Sequence, residues 1–342
     1  MIITLVAIFI ILALISILSL KKVPYSRLLF VSIGLGLILI SGFRPAGIDR
    51  DYYSYVQTFI DLKRFSFFIE PTFQFIVWVI KTYFHSDIVL LFIFYAALGV
   101  GLKFYAFKKL SKFWFLSLLI YFSYSYILQD MTQIRAGVAA AFVLLSIKPL
   151  YERNLFKFLI LVTIASLFHY SAIIIFPIWF LKPDEIKKSR YLIAIPIAYI
   201  IHFSVRIDFN SLVNIAYFQF LQHKLLAYQQ DDFGYLNVFN VWQLFRIVFS
   251  YLLIWKANLI FKKNSYGYLF IKLYVISTCA YVLLAFNPSF AGRIGDLFAI
   301  GDTVSIPFLV YIIDQKNMTR IIIILIGFSY LFLNLFYNKI IM

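Results

Sequence analysis

Apolar residues run along the chain in long stretches broken by short polar punctuation, with neither the two-residue alternation of a half-buried strand nor a sustained heptad. A bilayer-crossing helix needs about 20 mostly apolar residues. Runs of this kind fall at Ile2–Leu20, Leu28–Phe43, Ile88–Phe107, Phe113–Leu128, Ile134–Ile147 and Phe158–Leu181. Others fall at Tyr191–Val205, Val241–Trp255, Tyr268–Phe286, Leu297–Ile313 and Ile321–Tyr337. The pattern predicts an all-α polytopic integral membrane protein of about 11–12 transmembrane helices, a single transmembrane domain over residues 1–342. The Phe158–Leu181 run is interrupted by Phe168-His169-Tyr170-Ser171 and by Pro177. A re-entrant or broken helix with His169 at its outer tip keeps Lys182, Lys187, Lys188 and Arg190 on the inner side, where a straight pass would expose them outside. Irregular backbone at that depth has to lie inside protein or line a wet cavity, so a hairpin implies a cavity beside His169. Pro71–Phe84 is too short to span and is expected to lie in the outer interface.

Composition agrees: of 342 residues, 63% are hydrophobic and 13% charged, which excludes an ordinary soluble domain. The glycines are scattered, so no phosphate-binding glycine loop joins a strand to a helix. The charge of +16 would suggest nucleic acid in a soluble protein. Its placement explains it better. With Met1 outside, 19 of the 31 cations, Lys103 and the Lys108-Lys109-Lys112 cluster among them, fall on inner segments with four acids, as the positive-inside rule requires. The lone cysteine, Cys279, permits no intramolecular disulfide and reads as packing. Met1–Leu20 lacks a basic leader and a small-residue cleavage site and reads as a retained first helix. No internal repeat is visible.

Two outer loops are long, residues 44–70 and 206–240. Ionisable residues that are costly near a bilayer gather on this outer side: Arg44, Asp49, Asp51, Glu70, Asp130, Arg135, His169, Arg246, Arg293, Asp296 and Asp302. Arg44 to Tyr55 joins two arginines and two aspartates to Tyr52, Tyr53 and Tyr55; guanidinium planes suit phosphate, and tyrosines suit sugars. The alternative is a solvated loop whose charges pair among themselves. Asp49 and Asp51 also offer oxygen ligands to a divalent cation, although no cofactor is otherwise called for. Glu70 precedes Pro71, the arrangement of a helix start, and is equally a candidate general base. Arg135 opens a helix rich in small residues, near its free N–H groups, a seat for phosphate; the competing reading pairs it with Asp130. His169 in its apolar run is either a hydrogen-bonded core residue or a site residue, and Arg293 either snorkels to headgroups or binds substrate. Arg246, Lys272 and Asp302 lie deeper and are expected to form an internal ion pair.

In order, Arg44, Gly47-Ile48-Asp49-Arg50-Asp51-Tyr52, Tyr55, Glu70-Pro71-Thr72-Phe73, Ile134-Arg135-Ala136-Gly137-Val138-Ala139, Phe168-His169-Tyr170-Ser171 and Arg293 resemble the EpsG family of polysaccharide polymerases, relatives of Wzy-type O-antigen polymerases. Ala136 departs from the Gln of many relatives. The resemblance implies a membrane glycosyltransferase on a GT-C-like helical scaffold in the bacterial inner membrane. Its active site would face the periplasm, and it would polymerise undecaprenyl-pyrophosphate-linked oligosaccharide repeat units of O-antigen, capsule or exopolysaccharide, releasing undecaprenyl pyrophosphate. On that reading Arg44, Arg135 and Arg293 bind pyrophosphate, and Asp49 or Glu70, ahead of His169, supplies the base; His169 is otherwise there to orient the pyrophosphate or a sugar. Asp51, Tyr52, Tyr53 and Tyr55, together with the aromatics from Tyr217 to Tyr235, meet the glycan. The implied partners are the lipid-linked substrate, the bilayer, a flippase and a chain-length regulator, and no nucleic acid. The rivals are a glycosyltransferase using a polyprenyl-phosphate sugar, a glycan acyltransferase with His169 as base, and a lipid-linked glycan transporter. A transporter would carry charges along a two-sided path, whereas these cluster on one side.

Overall fold

The structure, a computed structural model, describes residues 1–18, 25–62, 65–84, 87–205 and 236–341. The aromatic stretch from Tyr217 to Tyr235, and with it most of the second long loop, lies outside the described residues. The fold is that of an all-α polytopic membrane protein. Among the described residues there is no strand, only an isolated antiparallel bridge between Asp49 and Ile341.

The chain builds α1 (Ile2–Leu18), α2 (Ser26–Gly42), α3 (Tyr52–Asp61), α4 (Pro71–Tyr83), α5 (Ile88–Leu110) and α6 (Trp114–Tyr121). A π-helical segment, Phe122–Asp130, continues α6 and leads to α7 (Ile134–Tyr151) and α8 (Leu155–Phe168). A 3₁₀ segment, Tyr170–Phe180, precedes α9 (Lys188–Ser204), and then come α10 (Val241–Trp255), α11 (Ala257–Lys263), α12 (Gly267–Leu283) and α13 (Pro288–Ala299). The chain closes with α14 (Asp302–Ile312) and α15 (Lys316–Phe332). Three described helices are long and apolar enough to cross a bilayer: α5, α7, and α15 with its π-helical extension to Tyr337. Two further spans result if α10 with α11, bent by 70°, and α13 with α14, bent by 44°, each count as one. Shorter apolar helices, among them α1, α2, α8 and α12, complete the bundle. The outward faces are apolar, with Leu28, Leu35, Phe156, Ile173, Ile200 and Phe328 exposed as lipid-facing residues are.

The interior instead collects polar groups. Asp130, at the end of the π-helical segment, accepts from Lys103 Nζ (2.6 Å) and Tyr121 Oη (2.7 Å), and its backbone carbonyl accepts from Ser41 Oγ. This overturns two sequence expectations. Lys103 is wholly enclosed rather than an inner-surface anchor, and Asp130 is bonded to it rather than to Arg135. A buried lone cation or carboxylate is too costly to persist, so the two settle in one place. Gly99 and Gly137 make room: a Cβ on Gly99 would stand 2.2 Å from Asp130 Oδ1. The interhelical pair expected deeper in the bundle forms between Arg246 and Asp302 (2.5 Å), whereas Lys272 takes no part and donates to the backbone carbonyls of Lys182 and Glu185.

The Phe158–Leu181 run is the broken element foreseen. α8 and the 3₁₀ segment lie against each other as two arms meeting at His169. Arg153, beside the start of α8, donates to the carbonyls of Trp179 (2.6 Å) and Leu181 (2.8 Å) at the end of the second arm. Phe158 and Trp179 touch across the arms at 5.3 Å. The chain therefore returns to the end from which it started, with His169 at the apex. α4 buries Phe73, Ile76, Val77 and Ile80 and exposes Phe75 and Trp78, an amphipathic helix packed on α5 and α8. Residues 44–70 are largely folded rather than loose, since α3 occupies their centre.

Candidate functional site

Five separated stretches meet at one end of the bundle. The turn after α2 reverses at Gly47, whose φ of 69° lies in the left-handed region that favours glycine. Arg44 then pairs with Asp49, Nε to Oδ2, at 3.0 Å. The guanidinium of Arg44 lies over the Phe92 ring at 3.9 Å, and the other oxygen of Asp49 accepts the Asp51 N–H at 3.0 Å. Burial pushes the Asp49 carboxyl up to about 6, opposed by Arg44. The same burial raises Asp51, with Arg293 the strongest of four arginines that offset it. Both Asp49 oxygens are thus engaged within the turn, one by Arg44 and one by the Asp51 N–H.

Glu70 stands where a helix start was expected, at the N-cap of α4 with Pro71 following. Its side chain does not cap the helix. It turns instead to α7 and the hairpin apex: Oε2 accepts from Arg135, and Oε1 lies 3.3 Å from His169 Nδ1. Arg135 also faces the rings of Tyr55 and Phe73 at 5.4 and 5.3 Å. His169 is held at the apex by chain geometry, because its neighbour Tyr170 reaches the carbonyl of Ile69, directly before Glu70 (3.2 Å). Arg293, on α13, is a charged neighbour of both Asp51 and His169.

Exposure separates these groups by what they can touch. The Arg44 and Asp49 side chains are fully enclosed and that of Glu70 is 2% exposed, whereas Arg135 keeps 29% and His169 13% open. Tyr55 is enclosed against Arg135 and Phe73, and Tyr52 is half-buried on Phe92, leaving Tyr53 as the exposed ring of the three. The geometry thus gathers Arg44, Asp49, Asp51, Glu70, Arg135, His169 and Arg293 but sorts them into an inner layer that holds and an outer layer that is reachable. Asp296, Tyr124 and Arg246 continue the polar lining beyond Arg293; the sequence signal available for Asp296 was its position one turn after Arg293.

A multi-pass helical membrane protein with a site of paired arginines and carboxylates at the end of its bundle is the class that fold and site define. The chain belongs to the EpsG family, which matches residues 27–340. It is similar to the amylovoran biosynthesis protein AmsC of Erwinia amylovora, 26% identical over 322 residues that cover 89% of this chain and 82% of that protein. No solved structure matches it.

Proposed function

We propose that the protein is a polysaccharide polymerase that joins undecaprenyl-pyrophosphate-linked oligosaccharide repeat units at the periplasmic face of the bacterial inner membrane. Family membership and the likeness to an amylovoran biosynthesis protein support exopolysaccharide assembly. The observation that carries the chemistry is the Arg135–Glu70–His169 cluster, two reachable groups held by one buried carboxylate, with Arg293 beside them.

In the reaction the acceptor hydroxyl oxygen bonds to the anomeric carbon of the donor while the bond from that carbon to the pyrophosphate oxygen breaks. Undecaprenyl pyrophosphate leaves and the hydroxyl proton passes to a base. Negative charge grows on the leaving oxygen, and Arg135 and Arg293 are placed to receive it in a setting of low dielectric. His169 is the best-placed base, since it is open to substrate while Glu70 is not. Glu70 then orients the ring and stabilises the imidazolium as it forms. Arg44 and Asp49 act one layer back, fixing the turn that carries Asp51 and Tyr53. As phosphate draws on Arg135, its hold on Glu70 loosens and Glu70 becomes a stronger partner for His169, so donor binding and base strength are coupled.

The test is complementation of a polymerase-deleted strain, with glycan ladders compared for wild type, Arg135→Ala, His169→Ala and Glu70→Gln at matched expression. A wild-type ladder that collapses to single repeat units in the variants supports the reading. Loss of the single unit itself on deletion points to an earlier transfer or flipping step, and full ladders in all three variants overturn the site.

A further inference from the structure

The face of α13 that carries Arg293 extends past the cluster just described. Ser289, Gly292, Arg293 and Asp296 recur at the spacing that places them on one side of a helix, and all are half-open, whereas Ala291, Ile294, Leu297 and Phe298 are buried on the other. Of the large apolar residues of α13 only Phe290 is half-open, the rest being buried, unlike the faces elsewhere that meet lipid. A Cβ built on Gly292 or Gly295 meets no heavy atom within 4 Å, so open space lies against the helix. Around the same face the Tyr124 hydroxyl donates to Asp296 Oδ1, and the Asp296 carbonyl accepts from Gln129 (3.1 Å). Arg246, held by Asp302 at 2.5 Å and Ser277 at 2.7 Å, is the cationic neighbour of Asp296. Trp242 stacks on Tyr330 at 4.5 Å, and Tyr330 in turn meets Tyr124 at 5.2 Å.

A carboxylate, a guanidinium already neutralised by its own aspartate and a phenol, beside a helix face whose glycines meet open space, suit a neutral pyranose better than a phosphate. Ring hydroxyls bond to ionised groups, and the C–H face of a sugar lies on an aromatic ring. Asp296 follows Arg293 by three residues, a rise of about 4.5 Å along the helix, comparable to the length of one sugar. We propose that Asp296, Tyr124 and the Gly292 face form a glycan subsite that holds the neutral sugar next to the bond being made. This rests on the polymerase reading and adds the place where the repeat unit is recognised.

The test uses the full chain in lipid nanodiscs and, as probe, the organism's own repeat-unit oligosaccharide freed from its carrier by mild acid, with affinity measured by calorimetry. Asp296→Asn is expected to weaken binding by about tenfold or more, the scale of one hydrogen bond to a charged group. Gly292→Leu, which enters open space and so leaves yield and melting temperature unchanged, is expected to weaken it at least as much, while Arg135→Ala leaves it within about twofold. Unchanged affinity in both Asp296→Asn and Gly292→Leu overturns the subsite, as does failure of the wild type to bind the probe although it restores a polymer ladder. Failure of the wild type to restore the ladder overturns the polymerase reading instead, and binding lost only in Arg135→Ala places the glycan in the arginine cluster rather than here.

Discussion

At the scale of single residues, the site is organised by which charges are enclosed. Arg44 and Asp49 have no exposed side-chain surface and depend on each other. Removing one partner of such a pair strands the other and costs about 3–5 kcal/mol, so Arg44→Ala is expected to lower yield and melting temperature rather than activity alone. The pair also titrates. Burial lifts Asp49 from 3.8 to about 6 against the pull of Arg44, so the folded protein holds this proton more tightly than the unfolded chain does. The contribution to stability is therefore full below about pH 4 and is lost as pH rises through about 6. Melting temperatures of the detergent-solubilised protein between pH 3.5 and 7 should show this falling component in the wild type. In Asp49→Asn the component should be absent, on a lower overall curve, and an identical slope in both would show that Asp49 is not its source. The proposed base belongs to this scale as well: the sequence reading ranked Asp49 or Glu70 ahead of His169, and the proposal reverses that order because His169 keeps 13% of its side chain open while Glu70 keeps 2% and Asp49 none.

At the scale of elements, packing of α5 on α7 is set by two glycines. Gly99 and Gly137 leave the space that the Asp130 carboxylate fills on its way to Lys103 and Tyr121. A Cβ at residue 99 would stand 2.2 Å from Asp130 Oδ1, too close for either atom to remain. Gly99→Ala is expected to destabilise the protein by about 1–3 kcal/mol through overpacking, seen as a lowered melting temperature. Gly101→Ala, two residues on, meets nothing within 4 Å and should leave it unchanged. Equal effects of the two would show that helix propensity, not the buried network, governs the site. The sequence showed the helix opened by Arg135 to be rich in small residues, but the carboxylate that Gly137 accommodates was not legible. A short glycine spacing fits a neighbouring backbone, a side chain or nothing at all, and only the partner element decides.

At the scale of the whole molecule, the hairpin at His169 determines the side on which each later loop emerges. Because Arg153 bonds to Trp179 and Leu181, residues 153 and 187 belong to one end of the bundle and Tyr53 to the other. A basic groove of about 830 Å³ lined by Arg27, Lys108, Lys109, Lys112, Lys262 and Lys263 marks the end away from the site. In a Cys279→Ser background, cysteines at 153 and 187 should react with a membrane-impermeant maleimide only after the membrane is opened, while one at 53 reacts in intact spheroplasts. Labelling of 153 and 187 from opposite sides would replace the hairpin by a straight crossing. Held beside these distances, the sequence by itself determined the class of protein. Apolar run length, the excess of lysine and arginine at alternate loops and the ordered short motifs are local or additive properties, and they sufficed for a helical membrane protein of this family. The tertiary structure decided which charge meets which: Arg135 with Glu70 across 65 residues, Lys103 with Asp130, and Arg293 beside Asp51 and His169. Partner choice follows from how helices dock, and the cost of leaving any of these charges unpaired in the bundle is paid only once they have docked.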